Sequence, residues 1–448
     1  MRLTLTRFMR LTLATIVAAG AREVAAQRNP GVVTGDTTAV VESRIAREAF
    51  ARATAAVRAK DSVEALAQLR TAARIWPLQP AYPWARAVFA ARVGQSTEAL
   101  NALLDYAVLG LGRDLRADRT FDALRGDTLF ERIATMHDRN RATVANGAVR
   151  ATIADSAFWP EGMDVDPRSG TFYVASVRYG TIAEVRKDGR VRELLPRNAP
   201  GMGSVLGVRV DTARNVLWAT VSGVGHHEGA VPGDSAIAAL LRVRISDGKI
   251  ERRWDIPPVA GGHVLGDVAI GPKGDVFFTD SNEPVFYWLS AKVNALQTVR
   301  SPLFRSLQGM APAPDGRIVY VADYSHGLLR LDLLTRDVTY LAPPPGSTLV
   351  GCDGLVWYRG GIVAVQNGVA PNRVVRISLS LDGRRATSVK VLDQNPDLAD
   401  EPTIGAMLGD QFVYVGTSQW EKWDDANKRV PGARAPEVVR LIGVRVVP

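Results

Sequence analysis

The residues best suited to chemistry recur at one position of a motif that appears six times in the C-terminal two-thirds of the chain. Each copy has apolar residues around a glycine, a short strand, a turn rich in Pro, Asp and Gly, and a strand with an aromatic residue. The residue before the glycine, or its counterpart in the divergent copies, is Glu161, Leu206, Gly266, Gln308, Asp353 and Thr403. If the copies form a ring, two carboxylates and one amide converge at one mouth of a central channel. Hard oxygen ligands without His or Cys favour Ca²⁺, with Mg²⁺ or Mn²⁺ as alternatives, over zinc.

The spacing of the copies predicts the fold that positions these residues. The copies begin at residues 160, 205, 265, 307, 352 and 402, about 42 to 60 residues apart, which is typical of a four-stranded propeller blade with loop insertions. One blade cannot bury both of its faces, so the six must close into a ring. We therefore predict an all-β six-bladed β-propeller over residues 156–448. An open β-sandwich is the alternative, but it would not repeat one turn motif six times.

The preceding region, residues 36–140, is predicted to be all-α. The tripeptide Glu-Ala-Leu occurs at Glu64 and again at Glu98, 34 residues later, with several prolines between the two copies. This period, with paired helices, resembles the tetratricopeptide repeat, and a plain helical bundle is the alternative. The concave face of such repeats would bind a peptide or pack on the next domain. Residues 141–155 are predicted to be the linker.

The first 26 residues have the pattern of a signal peptide. A basic start, a short apolar run over residues 11–20 and small residues at Val24-Ala25-Ala26 predict export to the periplasm or secretion, with Gln27 as the mature start. An uncleaved anchor or an amphipathic first helix is the alternative. No later apolar run is long enough for a transmembrane helix, so no integral membrane segment is expected after cleavage.

Charge and cysteine content exclude some functions. The net charge is +9 for the whole chain, but the arginines are scattered, so we predict no nucleic-acid groove. Cys352 is the only cysteine, which rules out an internal disulfide, and its apolar surroundings predict a buried thiol rather than a nucleophile.

Four stretches of the propeller region resemble the senescence-marker-protein/gluconolactonase/luciferin-regenerating-enzyme family. They are Pro160-Glu161-Gly162, the Gly-Asp-Val-Ala-Ile run from Gly266, the run from Pro314 that ends in Tyr-Val-Ala-Asp-Tyr, and Asp353-Gly354-Leu355. The resemblance covers residues 156–448 and implies a six-bladed propeller, a divalent metal held by Glu161, Gln308 and Asp353, and lactone hydrolysis. This chain departs from the family pattern twice: Gln308 stands in place of an Asn ligand, and Gly266 in place of a substrate-contacting Asn.

The resemblance implies metal-assisted hydrolysis, with Asp353 as both ligand and base for the attacking water. We expect His263, Asp267 and Trp420 to bind the substrate. For the three ligand positions, a polar channel mouth filled with water is the alternative. Trp420 and Trp423 are expected either to stack on a ligand at the channel entrance or to pack against the protein where the ring closes.

The other histidines are expected to have minor roles. His226 and His227 lie in a Gly-rich insertion, which favours a solvated loop over a channel cap or base. His326 is expected in an outer turn.

Two functions follow from the sequence. The first is an exported lactonase-like hydrolase acting on a small lactone or sugar-like molecule, whose helical repeats could also bind a protein partner. The second is a non-catalytic propeller scaffold that binds a protein or a carbohydrate.

Overall fold

The structure is a computed structural model that describes residues 37–231, 233–424 and 428–446. The predicted signal peptide, residues 1–26, lies outside the described residues. Two kinds of architecture follow one another along the chain, helices to residue 140 and strands from residue 148 onward.

The N-terminal region is helical, as predicted. It contains five α-helices and one 3₁₀-helix: α1 Thr37–Arg58, α2 Ser62–Ile75, α3 Ala81–Arg92, α4 Ser96–Val108, the 3₁₀-helix Arg119–Leu124 and α5 Thr128–Asn140. Helices α2 and α4 begin 34 residues apart, at the period seen in the sequence. Asp61 caps α2 by accepting a hydrogen bond from the backbone N–H of Glu64. Assignment of these helices to the tetratricopeptide repeat stays a prediction. None of the helices in the described ranges is long and apolar enough to cross a membrane.

The C-terminal region is a six-bladed β-propeller, which confirms the predicted fold. Six four-stranded antiparallel sheets follow one another. Blades 1 to 3 consist of β2 Pro160–Asp166, β3 Thr171–Ser176, β4 Ile182–Val185 and β5 Val191–Glu193; β6 Ser204–Asp211, β7 Val216–Ser222, β8 Ala238–Arg244 and β9 Ile250–Asp255; and β10 Leu265–Ile270, β11 Val276–Asp280, β12 Val285–Leu289 and β13 Leu296–Val299. Blades 4 and 5 consist of β14 Leu307–Pro312, β15 Ile318–Asp323, β16 Gly327–Asp332 and β17 Val338–Tyr340, followed by β18 Cys352–Tyr358, β19 Gly361–Gln366, β20 Arg373–Leu379 and β21 Ala386–Gln394.

Blade 6 closes the ring with strands from both ends of the propeller region. Its strands are β22 Gly405–Leu408, β23 Gln411–Val415, β24 Val439–Arg445 and, on the outside, β1 Ala148–Ile153. Strand β1 pairs with β24 from Ala148 opposite Gly443 to Ile153 opposite Val439. The segment predicted as a linker, residues 141–155, therefore contains a strand of the propeller. Residues 148–153 are mostly exposed, which hides a strand from a hydropathy pattern, and only pairing with a distant strand defines it.

The core of the propeller consists of one apolar cluster between each pair of neighbouring blades. Met163 and Val413, for example, belong to the cluster between blades 1 and 6, and Ala175 and Val208 to that between blades 1 and 2. Four more clusters complete the circle. The ring is held by packing without a disulfide, and Cys352, as expected, is buried in β18.

The helices pack on one face of the propeller, above blades 3 to 5. Trp76 and Tyr82 share a buried cluster with Phe304 and other residues of blades 3 and 4. Gln79 donates a hydrogen bond to the carbonyl of Ser325 at 2.7 Å, in the β15–β16 hairpin. Leu307, the first residue of β14, pairs with Asp323 at the end of β15, so this hairpin lies at the end of the blade where the innermost strand begins. The helices therefore lie on the face that contains the candidate channel mouth.

Candidate functional site in the central channel

A β-bulge sets the position of the candidate residues in each of the first five blades. In blade 1 the register of the innermost strand shifts between Pro160 and Met163, the two residues that flank Glu161 and Gly162. The innermost strands of blades 2 to 5 shift register at the equivalent place. Bulges re-aim side chains and are common next to active sites. The repeated motif in the sequence is thus the signature of a bulge.

The glycine of the motif is required by close contact between blades. A Cβ on Gly162 would stand 2.3 Å from the carbonyl oxygen of Leu206, and one on Gly309 would stand 2.5 Å from that of Asp353. The bulge of each blade therefore presses against the backbone of the next candidate residue. Gly354 meets Ile404 and Thr403 in the same way, which supports Thr403 as the equivalent position in blade 6.

Glu161 and Asp353 lie within electrostatic reach of each other at the channel mouth. Burial and the negative charge of Asp353 raise the pKa of Glu161 well above its usual range, although the indole Nε1 of Trp420 donates a hydrogen bond to it at 2.6 Å. Burial raises the pKa of Asp353 to about 7, against a hydrogen bond from Asn367 that lowers it. Two buried carboxyl groups this close compete for one proton, because both charges cannot be held together in a low dielectric.

Two further acidic or phenolic groups adjoin this pair. Burial, followed by the charges of Glu421, Asp400 and Asp353, raises the pKa of Glu401 to about 8. Burial and the charges of Glu401, Asp353 and Glu161 raise the pKa of Tyr324 well above its usual range. Sequence reasoning missed both residues. Glu401 lies two positions before Thr403, and Tyr324 ends the run that starts at Pro314, but both fall in loops outside the repeated bulge.

Asn367 is the hydrogen-bond partner of Asp353, and it too was missed. Its Nδ2 donates to Asp353 Oδ2 and to the carbonyl of Pro402, both at 2.8 Å. The side-chain oxygen, Oδ1, is buried and has no hydrogen-bond partner among the described residues. An unsatisfied buried acceptor costs roughly 1–3 kcal/mol. Asn367 follows β19 directly, so its position depends on how blade 5 turns rather than on the motif.

The two departures from the family pattern lie next to each other. The amide oxygen of Gln308 is 3.6 Å from the point where a Cβ on Gly266 would stand. The longer side chain of Gln308 thus lies beside the space that Gly266 leaves open. Its backbone is fixed from blade 3, because Thr279 donates a hydrogen bond to the Gln308 carbonyl at 2.8 Å.

Asp267 occupies the place of the motif glycine in blade 3 and is already paired. Its carboxylate lies 3.5 Å from the guanidinium of Arg209, which also lies 3.6 Å from Asp164. Burial raises the pKa of Asp267 to about 6, while the charge of Arg209 lowers it. Its role in substrate binding stays a prediction, and the second carboxylate oxygen has no hydrogen-bond partner among the described residues.

The ring nitrogens of His263 are both engaged. Nδ1 contacts Asp280 Oδ2 at 2.5 Å, and Nε2 lies 2.9 Å from the carbonyl of Pro257. The side chain is almost fully buried. Substrate contact by His263 therefore stays a prediction, and it would require one of these bonds to break.

Aromatic side chains surround Glu161 on the side of blade 6. Trp420 stands edge-on to Trp159 at 5.0 Å between ring centroids, and Trp159 stacks with Trp423 at 6.0 Å. His226 lies 5.2 Å from Trp420. Trp159 and Gln419, the residue before Trp420, both adopt left-handed backbone conformations, with φ of 47° and 73°. Such strain in non-glycine residues costs of order 1–3 kcal/mol each and is typical of functional sites.

The prediction of a solvated loop is wrong for His227. His227 is only 6% exposed and neither ring nitrogen has a hydrogen-bond partner among the described residues, so the Gly-rich loop is not simply solvated there. The loop lies against blade 1, where Glu228 N–H donates to the carbonyl of Arg178. His326 lies in the β15–β16 turn and is buried there, because the helices cover this hairpin and Arg47 lies 2.6 Å from its Nε2.

The donors at the channel mouth suit a hard cation only if amide oxygens contribute. In the described part of the chain, no three His, Cys, Asp or Glu side chains are arranged to hold a metal ion by themselves. Glu161 and Asp353 supply carboxylates, and Gln308 and Asn367 supply amide oxygens. The unpartnered oxygen of Asn367 and the proton competition between the carboxyl groups are both relieved by a cation, so this oxygen-only set fits Ca²⁺, Mg²⁺ or Mn²⁺.

Comparison with known proteins gives structural neighbours only. No family model and no curated protein matches this chain. Similar solved structures include a virginiamycin B lyase from Staphylococcus aureus, with 13% identity, 67% of this chain and 100% of that chain covered, and a TM-score of 0.46. A gluconolactonase from Xanthomonas campestris has 16% identity, coverage of 66% and 89%, and a TM-score of 0.44. A calcium-binding regucalcin from Agrobacterium tumefaciens has 17% identity, coverage of 68% and 97%, and a TM-score of 0.44. At these identities the likeness concerns the propeller fold alone.

Proposed function

We propose that this protein is an exported lactonase-like hydrolase with a divalent-metal site at the channel mouth. Glu161 and Asp353 would hold the cation together with an amide oxygen, for which the sequence resemblance names Gln308. Ca²⁺ is the first candidate, and Mg²⁺ and Mn²⁺ are alternatives. The substrate would be a small lactone or a sugar-like ester.

The observation that carries this proposal is the convergence of Glu161 and Asp353 from blades 1 and 5. The charge of Asp353 raises the pKa of Glu161, so the two carboxyl groups lie within electrostatic reach. Bringing two carboxyl groups together in a buried place destabilises a fold unless a proton or a cation relieves the repulsion. A pair of this kind at a channel mouth is typical of a functional site rather than of a structural core.

Asp353 is suited to the role of general base. In the cation-free protein burial raises its pKa to about 7, and a bound cation would lower this pKa and keep the carboxylate ionised, as a base requires. A bound cation would supply polarisation of the lactone carbonyl and stabilisation of the negative charge on its oxygen. The Asp353 carboxylate would take a proton from the water that attacks the carbonyl carbon. The ring C–O bond then breaks, and the leaving alkoxide oxygen takes up that proton.

The aromatic wall favours a sugar-like substrate. Trp420 and Trp423 are both partly exposed and lie beside Glu161. Indole rings offer flat apolar faces on which a sugar ring can pack, and the nearby acidic groups can accept hydrogen bonds from its hydroxyls. Trp420 would then contact substrate while its Nε1 orients Glu161.

Calorimetry and a lactone panel test the proposal together. Metal analysis of the purified protein, followed by melting with Ca²⁺, Mg²⁺ or Mn²⁺, should show bound metal or a cation-dependent rise in Tm. A ligand at 100 times its Kd stabilises the fold by about 2.7 kcal/mol. Asp353→Asn should reduce the rise and remove hydrolysis. The matched control is Asp332→Asn, which changes a buried carboxylate paired with Arg317 at the opposite end of blade 4. If no cation shifts the melting of the wild type, the metal site is refuted and the non-catalytic scaffold takes its place.

A further inference from the structure

Asn367 has one hydrogen-bonding atom that no other described residue contacts with a hydrogen bond. The side chain is 8% exposed, and its Nδ2 is committed to Asp353 Oδ2 and to the carbonyl of Pro402. These two acceptors also decide the orientation of the amide, since the opposite orientation would place an oxygen against two oxygens. Within residues 37–231, 233–424 and 428–446, Oδ1 is therefore an acceptor without a donor, next to the carboxylate that the proposed function assigns to the cation.

The amide oxygen expected at blade 4 lies on the side of blade 3. Gln308 Oε1 lies beside Gly266 of blade 3, 3.6 Å from its ideal Cβ position. Asn367 lies on blade 5 and touches both Asp353 and the chain that leads into Thr403. Of the two amides, Asn367 is thus the one bonded directly to a proposed ligand.

The segment that carries Asn367 is held firmly from both sides. On the propeller side, the preceding Gln366 donates to the carbonyls of Thr348 and Val350 at 3.0 and 2.7 Å. On the other side, Val369 packs in a buried cluster with Tyr106 and other residues of the helical region.

Two hydrogen bonds join the same segment to the chain that follows α4. The N–H of Gly112 donates to the Ala370 carbonyl at 3.1 Å. The guanidinium of Arg373 donates to the Gly110 carbonyl at 3.1 Å and to Gln366 Oε1 at 2.7 Å. An amide fixed in this way is pre-organised, because it loses little freedom when a ligand binds.

We infer that Asn367, rather than Gln308, supplies the amide oxygen of the channel cation site. This inference rests on the proposed function and deepens it. In this arrangement Asn367 has two tasks: its N–H group orients Asp353, and its Oδ1 binds the cation. The helical region, which clamps the 366–373 segment, thereby becomes part of what positions the site.

Titration calorimetry with Ca²⁺ and Mn²⁺ on the full mature chain tests the inference without any assay of activity. Asn367→Leu should weaken cation binding at least about tenfold, the scale of losses at the outer shell of metal sites. Asn367→Asp keeps an oxygen while losing the donor to Asp353, and it should bind at least as tightly as the wild type. Gln308→Met, which removes the other amide, should bind within about threefold of the wild type, a change of roughly 0.65 kcal/mol. Circular dichroism and melting without cation check the folding of each variant, and Asn367→Ala replaces Asn367→Leu if the latter does not fold.

The outcomes separate the inference from the proposed function. Wild-type protein that binds neither ion refutes both. If the wild type binds and Asn367→Leu binds equally well, the metal site stands and the assignment of Asn367 is wrong. If the Leu and Asp variants both lose binding, only the N–H donor matters and the oxygen is not a ligand. A large loss in Gln308→Met likewise overturns the preference for Asn367.

Discussion

The indole Nε1 of Trp420 donates a hydrogen bond to the carboxylate of Glu161 at 2.6 Å, which joins the last blade of the ring to the first. A second hydrogen bond also joins blade 6 to blade 1: the hydroxyl of Thr403 donates to the Glu161 carbonyl at 2.9 Å. Glu161 is thus fixed by blade 6 through both its side chain and its backbone. The contacts that close the ring between blades 6 and 1 therefore also position Glu161 in the channel site.

Trp420→Phe should therefore weaken both stability and the site. The variant keeps an aromatic ring but leaves Glu161 without its donor, and the loss of one such hydrogen bond costs about 1 kcal/mol. Urea unfolding measures this loss. Trp254→Phe is the control, since Trp254 lies on the outer strand β9. A Trp420→Phe protein as stable as the control would show that the bond to Glu161 contributes nothing.

The stability of the cation-free protein should fall as pH rises through neutrality. Asp353 and Glu401 have folded-state pKa values of about 7 and about 8, raised by burial above their values in the unfolded chain. A group of this kind ionises first in the unfolded state, so stability is lost between its unfolded and folded pKa, from about pH 4 to pH 8. Thermal melting from pH 5 to pH 8 measures the loss, and Glu401→Gln should flatten it. A Glu401→Gln profile parallel to the wild type would contradict the assignment of Glu401.

Lys422 should be essential for holding the loop of Trp420. It is 2% exposed, and its Nζ lies 3.0 Å from Asp400 Oδ2 and 2.8 Å from Gln419 Oε1. Lys422→Met leaves Asp400 without its cation, and breaking a buried pair in this way costs about 3–5 kcal/mol. Chemical denaturation measures the change. The double variant with Asp400→Asn should recover part of the stability, and a double variant as unstable as the single would argue against charge pairing as the cause.

Limited proteolysis should cut between residues 140 and 148. Helix α5 ends at Asn140, and β1 begins at Ala148 as the outer strand of blade 6. A fragment that starts in this window keeps β1 and should be stable, because all six sheets remain complete. Mass spectrometry of the fragments locates the cut. Initial cleavage inside residues 160–440 would contradict this boundary.

Export predicts a mature protein that begins at Gln27. The basis is the basic start, the short apolar run and the small residues before that position. Sequencing of the N-terminus after expression in a bacterial host decides the matter, and an intact Met1 would refute cleavage.

The sequence by itself determined the propeller, its number of blades and the six positions of the ring. These follow from a local requirement, since the bulges of blades 1, 2, 4 and 5 each need a glycine where the next blade contacts them, and a local requirement that repeats is visible as a motif. The carboxylates Glu161 and Asp353 stand inside that motif and could be found from it.

Only the tertiary structure decided what surrounds them. Asn367, Glu401 and Tyr324 come from loops that the repeat does not mark, and their meeting depends on ring closure. The helices reach the channel face through buried contacts such as Gln79 to Ser325, which no periodicity encodes. The burial of His326 and the strand β1 were not predicted for the same reason: the residues that bury His326 and the strand that pairs with β1 are far away in the sequence. Contacts between distant segments depend on the shapes of both segments. They leave no local pattern in a single sequence and become visible only in the folded structure.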